Sequence, residues 1–279
     1  MIGGNWERIM SETDKVFAGS IPEIYDTYLV PLIFTQYAED LAEKVTASQP
    51  GRVLETAAGS GVVTRALAPK LQDTARYVVT DLNQPMLDRA ASMQGEDDRI
   101  SWQQADALDL PFEDDSFDVV CCQFGVMFFP NRVDGYKEAR RVLKPGGKFI
   151  FNVWDKIEDN DFAHVVTGAA FSVFPHDPPV FLARTPHGYH DVQRIRDDLA
   201  MAGFMDVDIE TRTETSIAPS ASHPAIAYCQ GTPLRMELEA RAADKLEHVT
   251  ETAARAIEKQ FGSGPVSGKI KAHVISASA

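Results

Sequence analysis

The sequence has little cysteine: three residues in 279, namely Cys121, Cys122 and Cys229. The adjacent pair lies in an apolar run typical of a strand, where a free cysteine packs as a small hydrophobic side chain. Three cysteines without metal-ligand spacing give neither a disulfide framework nor a cysteine-based metal site. We therefore expect these thiols to belong to the core, and we expect no bound metal.

Long apolar runs are also missing. No stretch approaches the roughly 18 consecutive apolar residues that a membrane-spanning helix needs. The first residues include Asn5, Glu7, Arg8 and Glu12, and they lack the apolar centre of a secretory signal peptide. These two absences lead us to expect a cytoplasmic protein without integral membrane association.

Basic residues are scarce relative to acidic ones. The chain carries 27 Lys and Arg against 41 Asp and Glu, a formal net charge of -14. Nucleic acids are bound by clustered Lys and Arg, whereas here even the segment 137–144 has an acid among its basic residues. We therefore expect no nucleic-acid partner.

Two glycines lie close together in a short turn after the first predicted strand. Residues 52–61 read as an apolar strand that ends in Glu55 and leads directly into Gly59-Ser60-Gly61. Glycine lets a backbone pass close to a ligand and adopt positive φ without strain. A Gly-x-Gly turn alone is weak evidence of a nucleotide site, because such turns are also used for purely steric reasons.

Two further acids strengthen the case for a ligand site. The predicted strand 76–81 ends in Asp81, and the run 100–106 ends in Asp106, each about one strand-helix repeat of 20 to 25 residues after the last. The carboxyl ends of strands in a doubly wound sheet share one rim, where ligands bind. Asp81 has the acceptors for two ribose hydroxyls, and Asp106 with the Ala107 and Leu108 backbone suits an adenine edge.

The chain resembles the class I S-adenosylmethionine-dependent methyltransferases, in particular the type 11 subgroup typified by the ubiquinone and menaquinone biosynthesis C-methyltransferases. The resemblance spans roughly residues 52–154 and is carried by five blocks: 53–61, 78–87, 105–110, 110–120 and 138–147. It implies S-adenosyl-L-methionine as cofactor, S-adenosyl-L-homocysteine as product, and a small-molecule methyl acceptor.

The same resemblance implies a set of cofactor-binding residues. The methionine part of the cofactor is expected near the first turn and the end of the fourth strand, the ribose on Asp81, and the adenine beside the third strand. The residues are Tyr28, Glu55, Ala57, Gly59, Gly61, Asp81, Leu82, Met86, Asp106, Ala107, Leu108 and Gln123.

One position departs from the family pattern, which usually has a third glycine in the first turn. This chain has Ala57 there, which is tolerable if its φ stays negative. The rival interpretation is a nicotinamide dinucleotide site, which needs the motif Gly-x-Gly-x-x-Gly. In this chain Thr64 stands at the position of the third glycine. Glu55 favours the methyl donor as well, because a carboxylate repels a pyrophosphate and attracts a sulfonium.

The remaining pattern predicts a doubly wound, Rossmann-like, mostly parallel α/β sheet with an antiparallel edge strand. We expect a helical lid over 1–48, a cofactor-binding core over 49–154, a cap insertion over 155–191, and completion of the sheet over 192–279 with a helical insertion at 222–267. Pro31 is expected to open a lid helix. The last two strands are placed at 207–211 and 271–276. The other elements are helices 62–69, 84–93, 133–143 and 234–261 and strands 76–81, 99–104, 117–122 and 148–154.

No catalytic residue is assigned from the sequence. Methyl transfer is an in-line displacement at an activated carbon, so the protein supplies alignment, desolvation and a base only where the acceptor is protonated. The candidate bases, none of which stands out, are Asp155, His164, His176, His187 and His190. A dinucleotide oxidoreductase, a cofactor-binding protein without catalysis and a protein-modifying methyltransferase remain as alternatives.

Overall fold

The computed structural model describes residues 21–279. The first 20 residues of the predicted lid (1–48) lie outside the described residues. The seven strands of the described part are β1 (Arg52–Glu55), β2 (Arg76–Asp81), β3 (Ile100–Gln104), β4 (Phe117–Gln123), β5 (Leu143–Trp154), β6 (Asp206–Ala218) and β7 (Val266–Ser278).

These strands form one sheet in the order β3-β2-β1-β4-β5-β7-β6. Strands β1 to β5 pair in parallel, while β7 runs antiparallel to both β5 and β6. The predicted fold class is therefore confirmed, including the antiparallel edge. The last two strands are 13 residues each, much longer than predicted, because they pair with each other along their whole length.

Both faces of the central parallel strands β1 and β2 are buried. Val53 and Val79 belong to one apolar cluster and their neighbours Leu54 and Val78 to another, as the two-residue period of a strand requires. The described helices are α1 (Ile21–Ile24), α2 (Thr35–Thr46), α3 (Val62–Leu67), α4 (Gln84–Gln94), α5 (Arg132–Val142), α6 (Asp161–Val173), α7 (Phe181–Arg184), α8 (Val192–Met201), α9 (Ser222–Gln230), α10 (Leu234–Ala242) and α11 (Leu246–Phe261).

The lid segment differs from the prediction at its proline. A π-helix, Tyr25–Phe34, joins α1 to α2 and contains Pro31 in its interior, so Pro31 does not begin a helix. Proline has no N–H for a helical hydrogen bond, and a wide π-turn is a known way for a helix to absorb such a disruption. The segment is tied to the sheet edge, where Ser216 Oγ donates to the Leu32 carbonyl at 2.7 Å.

A buried carboxylate fastens the lid to the first turn. Asp26, whose side chain is 7% exposed, accepts a hydrogen bond from Ser60 at 2.9 Å and lies 2.9 Å from Arg89 and 3.4 Å from Arg65. Two cations and a hydroxyl on the core thus converge on one lid acid. We call this group the Asp26 latch.

The cap and the second insertion are both helical. Segment 155–191 contains α6 and α7, and α6 packs against α11. The helix predicted over 234–261 is interrupted by a 3-10 turn, Ala243–Lys245, which separates α10 from α11. Leu238 and Val249, on either side of the break, are both buried. The break therefore allows two apolar stripes to reach the core in different directions.

Glu55 lies beneath the first turn. Its carboxyl, 1% exposed, accepts hydrogen bonds from the Tyr77 and Thr64 hydroxyls. Burial raises the pKa of Glu55 to about 7, although these two hydroxyls act in the opposite direction. The three side chains connect β1, β2 and α3 below the ligand rim. Glu55 is thus part of the support of the turn.

Replacing Glu55 by Gln is expected to flatten the pH dependence of stability. The folded carboxyl titrates near pH 7 and the unfolded one near 4.5. Between these values the folded state binds more protons, so the free energy of unfolding falls as pH rises and levels off above about pH 7. At 1.36 kcal/mol per pKa unit the loss is on the order of 3 kcal/mol. Urea denaturation at several pH values measures it.

The matched control is Glu96→Gln, which changes an exposed carboxyl and should leave the slope unchanged. A Glu55→Gln variant with the wild-type slope between pH 5 and 7 would show that Glu55 does not titrate in this interval.

Replacing Asp26 by Ala is expected to loosen the lid. The change leaves Arg65 and Arg89 without their carboxylate, and because both guanidinium groups are about a third exposed, we expect a loss of only about 1–2 kcal/mol. Thermal denaturation measures the loss, and protease cleavage within 21–34 should become faster. The exposed Glu23→Ala variant is the control. Equal cleavage rates in the two variants would contradict a latch at Asp26.

Candidate functional site

A cavity opens at the carboxyl ends of β1, β2 and β4, under the lid. Its walls come from the turns that follow these strands and from the lid π-helix. The lining residues are Tyr25, Ala57, Gly59, Asp81, Leu82, Asn83, Met86, Ala105, Asp106, Ala107, Leu108, Gln123, Phe124, Gly125, Phe128, Phe129 and Pro130. We refer to it as the rim cavity.

Asp81 is the acid at the centre of the rim cavity. One carboxylate oxygen accepts from the Gly59 N–H at 2.8 Å, and the other accepts from the Asn83 N–H at 2.7 Å and from its side-chain amide at 3.4 Å. Burial raises the pKa of Asp81 above its ordinary value in spite of these bonds. A carboxylate has about four acceptor positions. Asp81 therefore still has room for a hydroxyl donated by a ligand.

The first turn has alternating left-handed residues: φ is +52° at Ala57, +57° at Gly59 and +80° at Gly61. The condition that Ala57 keep a negative φ is therefore not met. An alanine in this region is strained by roughly 1–2 kcal/mol. Its methyl is accommodated because Gly125 faces it: a Cβ on Gly125 would lie 2.5 Å from that of Ala57.

The acid after β3 borders the far end of the cavity. Asp106 accepts from the Leu108 N–H at 2.9 Å, a short local bond that leaves its other carboxylate oxygen available. Met86 and Ala107 add apolar surface to the same cavity. The cavity thus combines apolar surface with the two acids Asp81 and Asp106.

Gln123 lies at the opposite end, where β4 finishes. Its amide nitrogen donates to the Phe34 carbonyl at 3.3 Å, and its oxygen is 3.4 Å from the Asn152 amide. These bonds connect the end of β4 with the lid and with β5.

Three of the predicted binding residues do not line the rim cavity. The Tyr28 ring contacts that of His223, with centroids 4.8 Å apart and planes tilted by 52°, and Tyr25 lines the cavity instead. Glu55 is held below the turn by Tyr77 and Thr64. It was expected to attract a sulfonium and repel a pyrophosphate by facing the ligand, and this geometry does not provide that direct contact. Gly61 packs against Ala90, where an added Cβ would lie 2.8 Å from the Ala90 Cβ. Its role in the fold is steric.

The sequence analysis missed the aromatic segment after β4. Phe124 has φ of +49° and stacks on Trp154, with centroids 3.8 Å apart and planes 4° apart. Phe128 and Phe129 follow on a 3-10 turn. A signal was present, because Phe124-Gly125 begins a run that is unusually rich in aromatic residues and ends in Pro130. A strained aromatic residue beside a cavity is typical of a functional site.

A second cavity adjoins the first behind Tyr25, Phe124 and Phe128, which line both. It lies between the lid, the cap and the helical insertion, and most of its surface is apolar or aromatic. The lining residues are Tyr25, Leu29, Ile33, Phe34, Phe124, Met127, Phe128, Trp154, Phe181, Leu182, Pro186, His187, Tyr228, Thr232 and Pro233. No Asp, Glu, Lys or Arg is among them. We refer to it as the inner cavity.

Within residues 21–279, no group of three or more His, Cys, Asp or Glu side chains has the arrangement of a metal site. No helix in this part of the chain is both long and apolar enough to cross a membrane.

Comparison with known proteins agrees with this geometry. Residues 54–151 match the methyltransferase domain family. A demethylmenaquinone methyltransferase from Clavibacter sepedonicus is 41% identical over 99 residues, which cover 36% of this chain and about two fifths (39%) of that protein. A ubiquinone/menaquinone biosynthesis C-methyltransferase from Ectopseudomonas mendocina is 31% identical over 63% of this chain and 73% of that protein.

Solved structures share the fold. The YcgJ protein of Bacillus subtilis has a TM-score of 0.55 at 20% identity, over 87% of this chain and 98% of that one. A Haemonchus contortus phosphoethanolamine N-methyltransferase 2 in complex with S-adenosyl-L-methionine has a TM-score of 0.60 at 15% identity, over 97% of this chain and 60% of that one. From the sequence matches and the shared fold, the chain belongs to the class I S-adenosylmethionine-dependent methyltransferases, in the subgroup of the ubiquinone and menaquinone biosynthesis methyltransferases.

Proposed function

We propose that this protein transfers a methyl group from S-adenosyl-L-methionine to a small-molecule acceptor, with the cofactor in the rim cavity and the acceptor in the inner cavity. The observation that carries the proposal is the pairing of two adjoining cavities of different character. One contains a buried carboxylate with spare acceptor capacity, and the lining that residues 21–279 give the other is mostly apolar and includes no Asp, Glu, Lys or Arg.

The ribose hydroxyls are assigned to Asp81. Burial disfavours the charge of this carboxylate, so a hydroxyl donated by the ribose would stabilise the ionised form. Asp81 is already oriented by Gly59 and Asn83, and it therefore meets a ribose without rearranging. The residues present fit the cofactor at this point.

The adenine is assigned to the slot between Leu82, Met86 and Ala107, with Asp106 accepting from its exocyclic amine and Leu108 closing the edge. The free oxygen of Asp106 supports this placement. The methionine part of the cofactor is placed along Ala57, Gly59 and Gln123, with Tyr25 above the turn, since a Cβ on Gly59 would lie 3.9 Å from the Tyr25 hydroxyl. Tyr25 takes the place that the sequence analysis predicted for Tyr28.

Each segment of the chain is assigned one part of this proposed function. The lid 1–48 covers the rim cavity through the described part that begins at residue 21, the core 49–154 binds the cofactor, and the cap 155–191 with the insertion 222–267 encloses the acceptor. Residues 192–279 outside that insertion complete the sheet. Tyr25 and Phe124 lie where the two cavities meet.

The bound cofactor supplies a methyl carbon already activated by a positively charged sulfur. The protein's own contribution is to align the acceptor with that carbon and to keep water out. The stack of Phe124 on Trp154 gives the junction a rigid wall, and the Asp26 latch holds the lid over it. A wall fixed in this way favours the in-line approach that displacement requires.

A nicotinamide-dinucleotide oxidoreductase is not favoured. The position that should be its third glycine is Thr64, a fully buried residue that donates to Glu55 at 2.8 Å. The turn therefore cannot take the close helix approach that the dinucleotide fingerprint provides.

Replacing Asp81 by Asn is expected to weaken cofactor binding strongly. The variant keeps the shape of the side chain but loses the charged acceptor for the ribose hydroxyls, and bonds to charged groups are worth about 1.5–3 kcal/mol each. We expect a 10- to 100-fold rise in the Kd of S-adenosylhomocysteine. Isothermal titration calorimetry measures this constant.

Asp88→Asn, on the exposed side of α4, is the control and should bind like the wild type. Absence of cofactor binding by the wild-type protein would end the proposal. Binding without transfer of a labelled methyl group to any compound in an acceptor panel would identify a protein that holds the cofactor without catalysis.

A further inference from the structure

The walls of the inner cavity are buried except where they border the rim cavity. Among its lining residues, Tyr25 and Phe128 are partly exposed and the others are buried. Both of these residues also line the rim cavity, so a cofactor bound there covers them. A molecule that reaches the inner cavity after the cofactor therefore needs a second route, through a wall that can move.

Most walls of the inner cavity are fixed by extensive contacts. Trp154 belongs to β5, which pairs with a strand on each side. The lid is bound to the sheet edge through Ser216 and to the core through the Asp26 latch. Tyr228 belongs to α9, which packs against α6 and α11. The wall that contains Phe181 and Leu182 is different, because it belongs to a short segment of the cap.

This segment, residues 174–184, has little regular structure, and we call it the strap. It follows α6, continues through Pro178 and Pro179 without a helix or strand, and ends in the four-residue helix α7. A helix of one turn is not stable alone. Segments with few hydrogen bonds of their own open at a low cost in free energy. The strap therefore depends on partners outside it.

Those partners lie on the helical insertion. Glu237 and Arg241 are four residues apart on α10 and so share one face, and Lys245 follows in the 3-10 turn. Lys245 Nζ is 5.5 Å from the centre of the Phe174 ring, at the start of the strap. Arg241 Nε donates to the Asp177 carbonyl at 2.7 Å. The strap is thus bound to the insertion at successive points.

Glu237 is the central anchor of the strap. One carboxylate oxygen accepts from the N–H groups of Val180 and Phe181 at 2.8 and 3.2 Å, and the other accepts from the Arg184 guanidinium at 3.0 Å. The side chains of Glu237 and Arg184 are only 16% and 11% exposed, and charge-assisted bonds of this kind are strong. One carboxylate therefore holds both ends of α7.

The strap and the insertion meet at the wall of the inner cavity. Phe181 and Leu182 from the strap, and Thr232 and Pro233 just before α10, line the same cavity. Movement of the strap away from α10 separates these two parts of the wall. The bonds that hold them together are largely polar, and water can replace such bonds when they break.

We propose that the strap is a gate through which the methyl acceptor enters the inner cavity, and that Glu237 is the residue that holds the gate closed. This inference rests on the proposed function, because it takes the inner cavity as the place of the acceptor. It adds an entry route that stays open to the acceptor when the cofactor fills the rim cavity. Closure of the strap on Glu237 then keeps water from the reacting groups.

Two variants of Glu237 test the gate. Glu237→Ala removes every bond from this side chain to the strap. Glu237→Gln keeps the size of the side chain and one acceptor oxygen, so it weakens the anchor with little risk to the fold. The control is Glu239→Ala on the same helix, which removes a carboxylate that pairs with Arg235 at 2.7 Å.

The first experiment measures hydrogen exchange at the amides of Val180 and Phe181, without any ligand. We expect exchange about 10- to 100-fold faster in Glu237→Ala, because these N–H groups lose their acceptor and the strap opens more often. The increase should be smaller in Glu237→Gln and absent in Glu239→Ala. Wild-type exchange rates in Glu237→Ala would show that Glu237 does not hold the strap.

The second experiment measures how fast an apolar molecule enters protein saturated with S-adenosylhomocysteine. The probe is N-phenyl-1-naphthylamine, an uncharged compound that fluoresces in apolar surroundings, and stopped-flow fluorescence follows its association. In the wild type the rate should level off at high probe concentration, because opening of the strap limits entry. Glu237→Ala should raise this limit about tenfold, while Glu239→Ala keeps the wild-type value.

Equal rates of entry in the wild type and Glu237→Ala would overturn the gate. So would exclusion of the probe from both proteins by S-adenosylhomocysteine, because entry would then depend on the rim cavity. Failure of S-adenosylhomocysteine to bind would instead refute the proposed function. The exchange experiment uses no ligand and still decides in that case whether Glu237 holds the strap.

Discussion

The carboxylate of Asp81 is the interaction on which the geometry of the rim cavity depends. It accepts the Gly59 N–H from the turn after β1 and the Asn83 N–H at the start of α4, so one side chain fixes two loops that belong to different strands. Below it, the carboxyl of Glu55 is held by Tyr77 and Thr64. One acid thus lines the rim cavity while the other supports the same turn from beneath.

The lid and the cap complete the site by packing rather than by charge. Phe124, at a positive φ, stacks on Trp154 and lines both the rim cavity and the inner cavity. The Asp26 latch draws the lid toward α3 and α4. In the proposed reaction both arrangements restrict the entry of water at the junction of the cavities. A displacement at carbon needs such alignment more than it needs a strong acid or base.

Much of the core was predictable because its signals are local. Strands ending in Glu55, Asp81 and Asp106 follow a regular repeat, and parallel strands bring their ends to one rim. The prediction was less accurate where contacts between segments far apart in sequence determine which side chain faces the cavity. Tyr25 and Tyr28 are three residues apart on one helical segment, and the π-helix around Pro31 determined which of them faces the cavity. Likewise, the positive φ of Ala57 depends on the missing side chain of Gly125, 68 positions along the chain.

By itself the sequence determined the family, the α/β sheet with its antiparallel edge, the identity of the cofactor and the acids at the strand ends, because each depends on short motifs and strand periodicity. Only the tertiary structure decided that Glu55 lies below the turn, that Tyr25 rather than Tyr28 borders the rim cavity, and that His187 lines the inner cavity. The reason is physical: burial and access are properties of surroundings built by segments far apart in sequence, here β5, the lid, the cap and the helical insertion.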